Sequence, residues 1–326
     1  MQAKNQKIVV LGTGGTIAGE SCSASEGLSY KAAQRGIDVL VQSVAEIGQG
    51  LPSALASIQF ESEQVAQIDS KDMDFATWRH LALRCHAWLS QDDVTAVVIT
   101  HGTDTLEETA YFLSKVININ KPIVLTCAMR PANFKDADGP QNLRDAMTVA
   151  AVAKGAGVWM VAAGEIHHSH HVQKVHPTRI NAFDSGEAGA AGWVKDDRVS
   201  WRLGFKVDAL TCSLDALALP EASRWPWVAV LMNHVQSDPK VVDLLVNAGV
   251  HGLVVAGTGN GSVSTLLKAA LKNAETSGVQ VRLSSRCNQG PVIVTDSHAF
   301  PVLAGLSPVK TRVALVLDIL SKQQSH

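Results

Sequence analysis

The sequence contains no apolar run long enough to cross a bilayer as a helix, so no such span is expected. Its opening residues, Met1 to Lys7, are polar, and neither a signal-type apolar region nor a small-residue cleavage site follows them. A cytoplasmic location is the expectation, a periplasmic one requiring that a leader was removed. Charge of neither sign prevails: 28 Lys and Arg stand against 30 Asp and Glu, for a net charge of −2, and the basic residues are dispersed. Such a balance gives no reason to expect nucleic acid or an anionic membrane as a partner. Cysteine is sparse, and Cys22, Cys85, Cys127, Cys212 and Cys287 are scattered without any C-x-x-C spacing. An odd, scattered set points to thiols in a reducing compartment rather than to disulfides or zinc. Internal repeats and low-complexity segments are absent.

The most informative stretch is also marked by what it lacks. Val9 to Gly19 reads VVLGTGGTIAG, an apolar run suited to a buried strand that breaks into a glycine-dense turn. The dinucleotide pattern G-x-G-x-x-G fails, because Ile17 stands where its last glycine should be, and no acid-bearing strand end follows about 20 residues on. The phosphate-loop pattern fails at Glu20, which occupies the place of the required lysine. With no basic residue between Lys7 and Lys31, a polyphosphate would meet little compensating charge there. What the turn does present is Thr16, flanked by glycines that permit positive φ and close approach of a small molecule. A plainer reading makes Thr16 the cap of a helix begun by Ile17.

The 326 residues, 46% hydrophobic, are ample for a large core and by length suggest about two domains. Short β-branched runs at Ala96–Thr100, Ile123–Cys127, Val158–Ala163, Val228–Met232, Leu253–Ala256 and Val292–Thr295 read as strands. Between them lie helical patterns: Leu106, Ala110, Leu113 and Ile117 share a face, Pro140 opens a segment that Gly155 closes, and Ser307-Pro308 opens a terminal helix. The alternation predicts an α/β fold with a parallel-rich sheet flanked by helices, and ligands bound beyond the carboxyl ends of the strands. Strand periodicity lapses around Gly204 to Trp225. We therefore expect a larger N-terminal domain over 1–203, a linker over 204–225 and a smaller α/β domain over 226–326.

A second segment, Val97–Leu113, reads VVITHGTDTLEETAYFL, a strand running into a turn and a helix. Asp104 is either the N-cap of that helix, with Glu107 completing a capping box, or a ligand-facing acid beside Thr103 on the same edge as Thr16. Pattern alone does not choose between them.

Taken together, GTGGTIAG at Gly12–Gly19, SKDM at Ser70–Met73, THGTDTLEETAYFL at Thr100–Leu113 and AMRPANFKDADGPQNL at Ala128–Leu143 resemble the bacterial L-asparaginase family, including its glutaminase-asparaginases. GTGNGS at Gly257–Ser262 and SSR at Ser284–Arg286 extend the resemblance over essentially the whole chain. It implies an amidohydrolase needing no cofactor, working as a homotetramer (a dimer of dimers) with sites at dimer interfaces, on asparagine with side activity on glutamine. Carried over position by position, it makes Thr16 the nucleophile, Tyr30 the lid tyrosine, and Ser70 the holder of the substrate α-carboxylate. Thr103, Asp104 and Lys174 match the second catalytic group, Asp104 also meeting the substrate ammonium, and the Ala128 carbonyl lies near the scissile amide. Gly15 and Gly102 permit close approach, and Lys71 adjoins the substrate.

Those residue types suit the chemistry. A threonine hydroxyl is a weak nucleophile until a neighbour takes its proton, so Thr16 needs Tyr30 or a base linked to Lys174 close by. Burial and the Asp104 carboxylate act on Lys174 in opposite directions, leaving open whether it is a base or a positioning charge. Residues Glu20–Ser29, rich in Ser, Gly and Ala, read as a mobile lid carrying Tyr30 inward. Taken singly, Tyr30 also reads as an ordinary surface residue and Lys174 as a solvated charge. The His167-His168-Ser169-His170-His171 run lacks fixed ligand geometry and reads as loop decoration rather than a metal site. Cys127 reads as a small packed hydrophobe.

Other readings of the same resemblance are a non-catalytic amino-acid sensor, a phospholipid-hydrolysing relative, and a subunit of a transfer-RNA amidotransferase. The last is disfavoured by a first strand beginning at Lys7, and the second by the lack of a lipid-binding segment. Two departures from the family concern the substrate ammonium. Lys71 stands where Gln or Glu is usual, and Asp296 falls where the neighbouring subunit commonly supplies a Glu. A cation beside the ammonium repels it and a shorter acid reaches less far, so recognition rests mainly on Asp104. The expected outcome is a KM for asparagine above the low micromolar range; steady-state kinetics giving a low micromolar KM would contradict it.

Overall fold

The computed structural model describes residues 6–21, 30–46, 50–205 and 214–324. Its chain divides into two compact units, the first ending at Leu219 and the second beginning at Pro220. This division falls within residues 204–225, with short 3₁₀ turns at Ala216–Ala218 and Ala222–Arg224 on either side of it.

In the first unit, strand β1 (Lys7–Gly14) leads to a two-residue hairpin of β2 (Glu20–Ser21) and β3 (Tyr30–Lys31), then helix α1 (Ile37–Glu46) and strand β4 (Gln59–Ile68). Helix α2 (Phe75–Leu89), strand β5 (Val94–Thr100), helix α3 (Leu106–Val116), strand β6 (Pro122–Thr126), helix α4 (Gly139–Val152) and strand β7 (Gly157–Ala162) continue the alternation. Strands β8 (Glu165–His168), β9 (Gln173–Lys174), β10 (Phe183–Asp184), β11 (Gly192–Lys195) and β12 (Arg198–Trp201) complete it. Eight strands form one sheet in the order β12-β11-β8-β7-β6-β5-β1-β4. From β4 to β7 all neighbours are parallel; β7–β8, β8–β11 and β11–β12 are antiparallel.

Periodicity explains why these segments lie flat between helices. Ile8 and Val10 of β1, Ala96 and Val98 of β5, Val124 of β6 and Val161 of β7 share a core with α1 and α4 through Leu40, Val44, Leu143 and Met147. The alternate residues, Val9, Leu11, Val97, Ile99, Ile123 and Leu125, are fully or nearly fully buried as well. A strand apolar on both faces needs helices on both sides of its sheet. On the side of α2 and α3, Trp78 stacks on Phe112 with ring centroids 4.8 Å apart.

The second unit holds a parallel sheet of β13 (Val228–Met232), β14 (Gly252–Gly257) and β15 (Gln280–Ser285), with helices α5 (Lys240–Asn247), α6 (Thr265–Thr276) and α7 (Pro308–Gln324). Here the structure corrects the sequence reading. Val292–Thr295 forms no strand; the third strand is Gln280–Ser285, where only Val281 and Leu283 alternate inward. Ile293 and Val294 are exposed, and Ile293 spends its backbone N–H and C=O on the side chain of Asn260 instead of a ladder.

One buried charge bears on stability. Asp145 of α4 is 4% exposed, and burial pushes its carboxyl up to about 6, against a single donor from Gln141 at 2.8 Å. The adjacent Arg144 offers little relief, since its guanidinium is bound to Asp197 at 2.7 and 2.8 Å. An acid whose folded value lies above its unfolded value of about 3.9 binds more protons when folded, so stability declines as pH rises from about 4 through about 6. Replacing Asp145 by Asn removes that penalty, which at full ionisation is about 3 kcal/mol. Urea unfolding of both proteins at about pH 4.5 and about pH 8 should show the variant gaining on the wild type at the higher pH, and a pH-independent difference would refute the assignment.

Candidate active site

The site gathers at the carboxyl ends of β1, β5 and β6, where the parallel strands release their loops. Gly12 of β1 is in register with Thr100 of β5, so the turns that follow emerge side by side. Gly15 has φ of 78°, and a Cβ there would collide with Gly102 Cα and N. The two backbones touch, and each is followed by a threonine.

Thr16 opens a 3₁₀ turn, Thr16–Ala18, with Gly15 before it and no side-chain cap. The capping alternative therefore fails. Thr16 is 5% exposed, and its hydroxyl lies 2.6 Å from Tyr30 Oη. Tyr30 sits on β3, opposite Ser21. Burial holds its phenol above the ordinary tyrosine range; the bond to Thr16 opposes this, and the carboxylates of Asp69 and Asp104 add to it. The phenol is therefore protonated at neutral pH. Residues 22–29 of the expected lid lie outside the described residues.

Across the seam, Lys174 Nζ donates to Thr103 Oγ1 at 2.8 Å and to Asp104 Oδ1 at 2.6 Å. Asp104 is not the helix cap: Thr105 stands before α3, and its hydroxyl donates to the Ser70 carbonyl at 2.8 Å. Freed from capping, the Asp104 side chain is half exposed and paired with Lys174. Lys174 is carried in by the short β9–β10 ladder, where it faces Phe183. Ser70, 2% exposed, accepts the Asp104 N–H at 3.1 Å and packs on Gly102. Lys71 is exposed and pairs with its neighbour Asp72, which is the leading cause raising its ammonium above the ordinary lysine range.

Ala128 lies fully buried in the loop after β6. The loop is held by side chains whose part the sequence did not reveal. Asp138 accepts the N–H groups of Met129 and Arg130, both at 2.9 Å. Asn142 donates to the Cys127 carbonyl at 2.9 Å and accepts the Ala163 N–H at 2.9 Å. Cys127 is buried, and burial raises its thiol far above the usual range, as expected of an inert packed sulfur.

His101 braces the other turn. Fully buried, it is held down to about 4 by desolvation, opposed by its bond to the Gly102 carbonyl. A carbonyl only accepts, so Nδ1 carries the proton at 2.7 Å from Gly102 O. Nε2 then accepts from Thr109 at 3.0 Å, and Thr109 Oγ1 accepts from Trp78 Nε1 at 2.8 Å.

Asp296 belongs to the C-terminal unit, on an exposed turn where His298 Nδ1 accepts the Thr295 N–H at 3.2 Å. In the histidine run, His167 meets Ser185 at 2.9 Å and Glu165 at 3.4 Å, and His168 packs on Trp159. Among the described residues no group of three His, Cys, Asp or Glu side chains is placed to hold a metal ion.

Residues 7–205 match the family described as Asparaginase, N-terminal, and residues 227–325 the Glutaminase/Asparaginase C-terminal domain. The chain is 34% identical to L-asparaginase 2 of Bacillus subtilis, covering 96% of this chain and 82% of that protein. It is 36% identical to a probable periplasmic L-asparaginase of Haemophilus influenzae, over 96% of this chain and 88% of that one. It is 34% identical to the glutaminase-asparaginase of Pseudomonas fluorescens biotype A, over 99% and 89%. The crystal structure of a probable cytoplasmic L-asparaginase from Campylobacter jejuni superposes with a TM-score of 0.86 at 34% identity, covering 98% of this chain and 97% of that one. The chain belongs to the asparaginase family.

The contact between the two turns generates a test. Gly15→Ala places a Cβ against Gly102 at a φ that side chains rarely adopt, and should destabilise the protein by more than about 2 kcal/mol. Denaturant unfolding of the variant checks this; a midpoint equal to wild type would contradict the contact.

Proposed function

We propose that this protein is an L-asparaginase that hydrolyses the side-chain amide of asparagine to aspartate and ammonia through an acyl-threonine on Thr16, with side activity on glutamine. The observation that carries the reading is the seam at Gly15 and Gly102, which puts two differently supported threonines beside one another: Thr16 against a phenol, Thr103 against an ammonium.

In this reading the Thr16 oxygen attacks the amide carbon while its proton passes to Tyr30 Oη. Because Tyr30 is itself protonated at rest, it acts as a relay, accepting one proton as it releases its own toward the leaving nitrogen. The tetrahedral oxyanion is met by backbone N–H groups of the two Gly–Thr turns, donors of a kind that contribute roughly 3 kcal/mol each. Collapse breaks the carbon–nitrogen bond, ammonia leaves with the relayed proton, and water cleaves the resulting ester. Thr103, Asp104 and Lys174 form the second group: Lys174 fixes the Thr103 hydroxyl and the Asp104 carboxylate, and Asp104 pairs with the substrate ammonium. Ser70 takes the α-carboxylate and the Ala128 carbonyl receives the amide N–H. Glutamine asks only for one more methylene, which pockets discriminate by about 1–3 kcal/mol.

We further propose a homotetramer, with Asp296 supplied to the ammonium from a neighbouring subunit. Exposed apolar residues on the C-terminal unit, Met232 at 60% and Leu244 at 69%, support an assembly that covers them. A cytoplasmic location is favoured by the free thiols of Cys85, Cys127 and Cys287.

Ammonia release from asparagine by the wild type, Thr16→Ala and Thr103→Val tests the reading. Both variants should fall by at least about a thousandfold, with substrate still bound. Asparagine bound equally by three proteins that are all inert on amides would instead identify a sensor.

A further inference from the structure

We propose that Asn133 is a positioning residue for Tyr30: its carboxamide closes the outer edge of the hairpin that carries the phenol and so sets where that phenol meets Thr16. The proposal rests on the assignment of Tyr30 to activation of Thr16. Two two-residue strands make a weak support on their own, since even longer isolated hairpins are marginal in water. Ser21 stands opposite Tyr30 but sends its backbone the other way, its N–H donating to Asn133 Oδ1 at 2.8 Å and its carbonyl accepting from Asn133 Nδ2 at 2.7 Å. That makes Ser21–Tyr30 the closer, non-hydrogen-bonded type of pair.

Asn133 thus acts as a one-residue third strand. Its neighbour extends the pairing, with the Ala132 N–H donating to the Gly19 carbonyl at 2.9 Å. A Cβ on Gly19 would lie 3.0 Å from Tyr30 Cδ2, so the ring rests on the backbone segment that residues 132 and 133 hold. Only a carboxamide donates and accepts here at once: aspartate would turn an oxygen toward the Ser21 carbonyl, and alanine leaves both groups to water.

The chain has two tyrosines, Tyr30 and Tyr111, so enzyme labelled with 3-fluorotyrosine gives two fluorine resonances, assigned with Tyr30→Phe. In Asn133→Ala and Asn133→Asp the Tyr30 resonance should shift or broaden while that of Tyr111 stays. In Asn133→Ala kcat for asparagine should fall about tenfold with KM changed less than about twofold, and adding the substitution to Tyr30→Phe should cost nothing further. A Tyr30 resonance unmoved in both variants, or a tenfold loss repeated in the Tyr30→Phe background, would overturn the proposal. The resonances do not depend on turnover, so a Tyr30→Phe enzyme working at full rate would strike the premise about Tyr30 and leave the test of the clamp standing.

Discussion

Two glycines in contact set the geometry of the site. Gly15 follows the first strand and Gly102 begins the turn after its neighbour; the Gly102 backbone leaves no room for a Cβ on Gly15, and a Cβ on Gly102 would meet the Ser70 side chain. Register between β1 and β5 delivers the turns to the same level, while the two-sided apolar core holds the strands in place. Glycine is entropically costly to order and adds no packing of its own. The surrounding sheet provides the stability that these positions do not.

Around that seam, most of the fixing is done by side chains gripping main chain. Ser70 holds Asp104, Asp138 holds two successive N–H groups of the Ala128 loop, and Asn142 bridges the ends of β6 and β7. Loops at strand ends carry function because a rigid scaffold positions them. In this chain the scaffold reaches into the loops through short polar side chains, of which Asp138 and Asn142 each grip two main-chain groups.

The central strands were legible because their apolar residues run unbroken, as at Val97–Thr100 and Ile123–Thr126. Gln280–Ser285 was not, since a strand with only Val281 and Leu283 facing inward has too little apolar signal. Val292–Thr295 misled for the opposite reason, being β-branched and apolar but paired to an asparagine rather than a strand. The antiparallel end of the large sheet, β8 to β12, is built of short polar strands that composition does not announce. At the site, Thr16, Thr103 and Asp104 stood out in recognisable motifs, although the capping pattern at Asp104 and Glu107 offered a local explanation of its own; Lys174 lay in no such motif and came only with the family resemblance. Asn133 and Asn142 carry no such signal, because what they do is decided by which carbonyl and amide the fold brings to them.

The buried run from Trp78 through Thr109 and His101 has one direction only: an indole that can only donate at its head and a carbonyl that can only accept at its tail leave no alternative placement of hydrogens. Bonds strung in one sense polarise one another when water is excluded. The pull ends on the oxygen of the peptide joining Gly102 to Thr103, and withdrawing electron density there makes the nitrogen of that same peptide a stronger donor. A tryptophan in the hydrophobic interior thereby sharpens the amide of Thr103, in one of the two Gly–Thr turns proposed to meet the oxyanion.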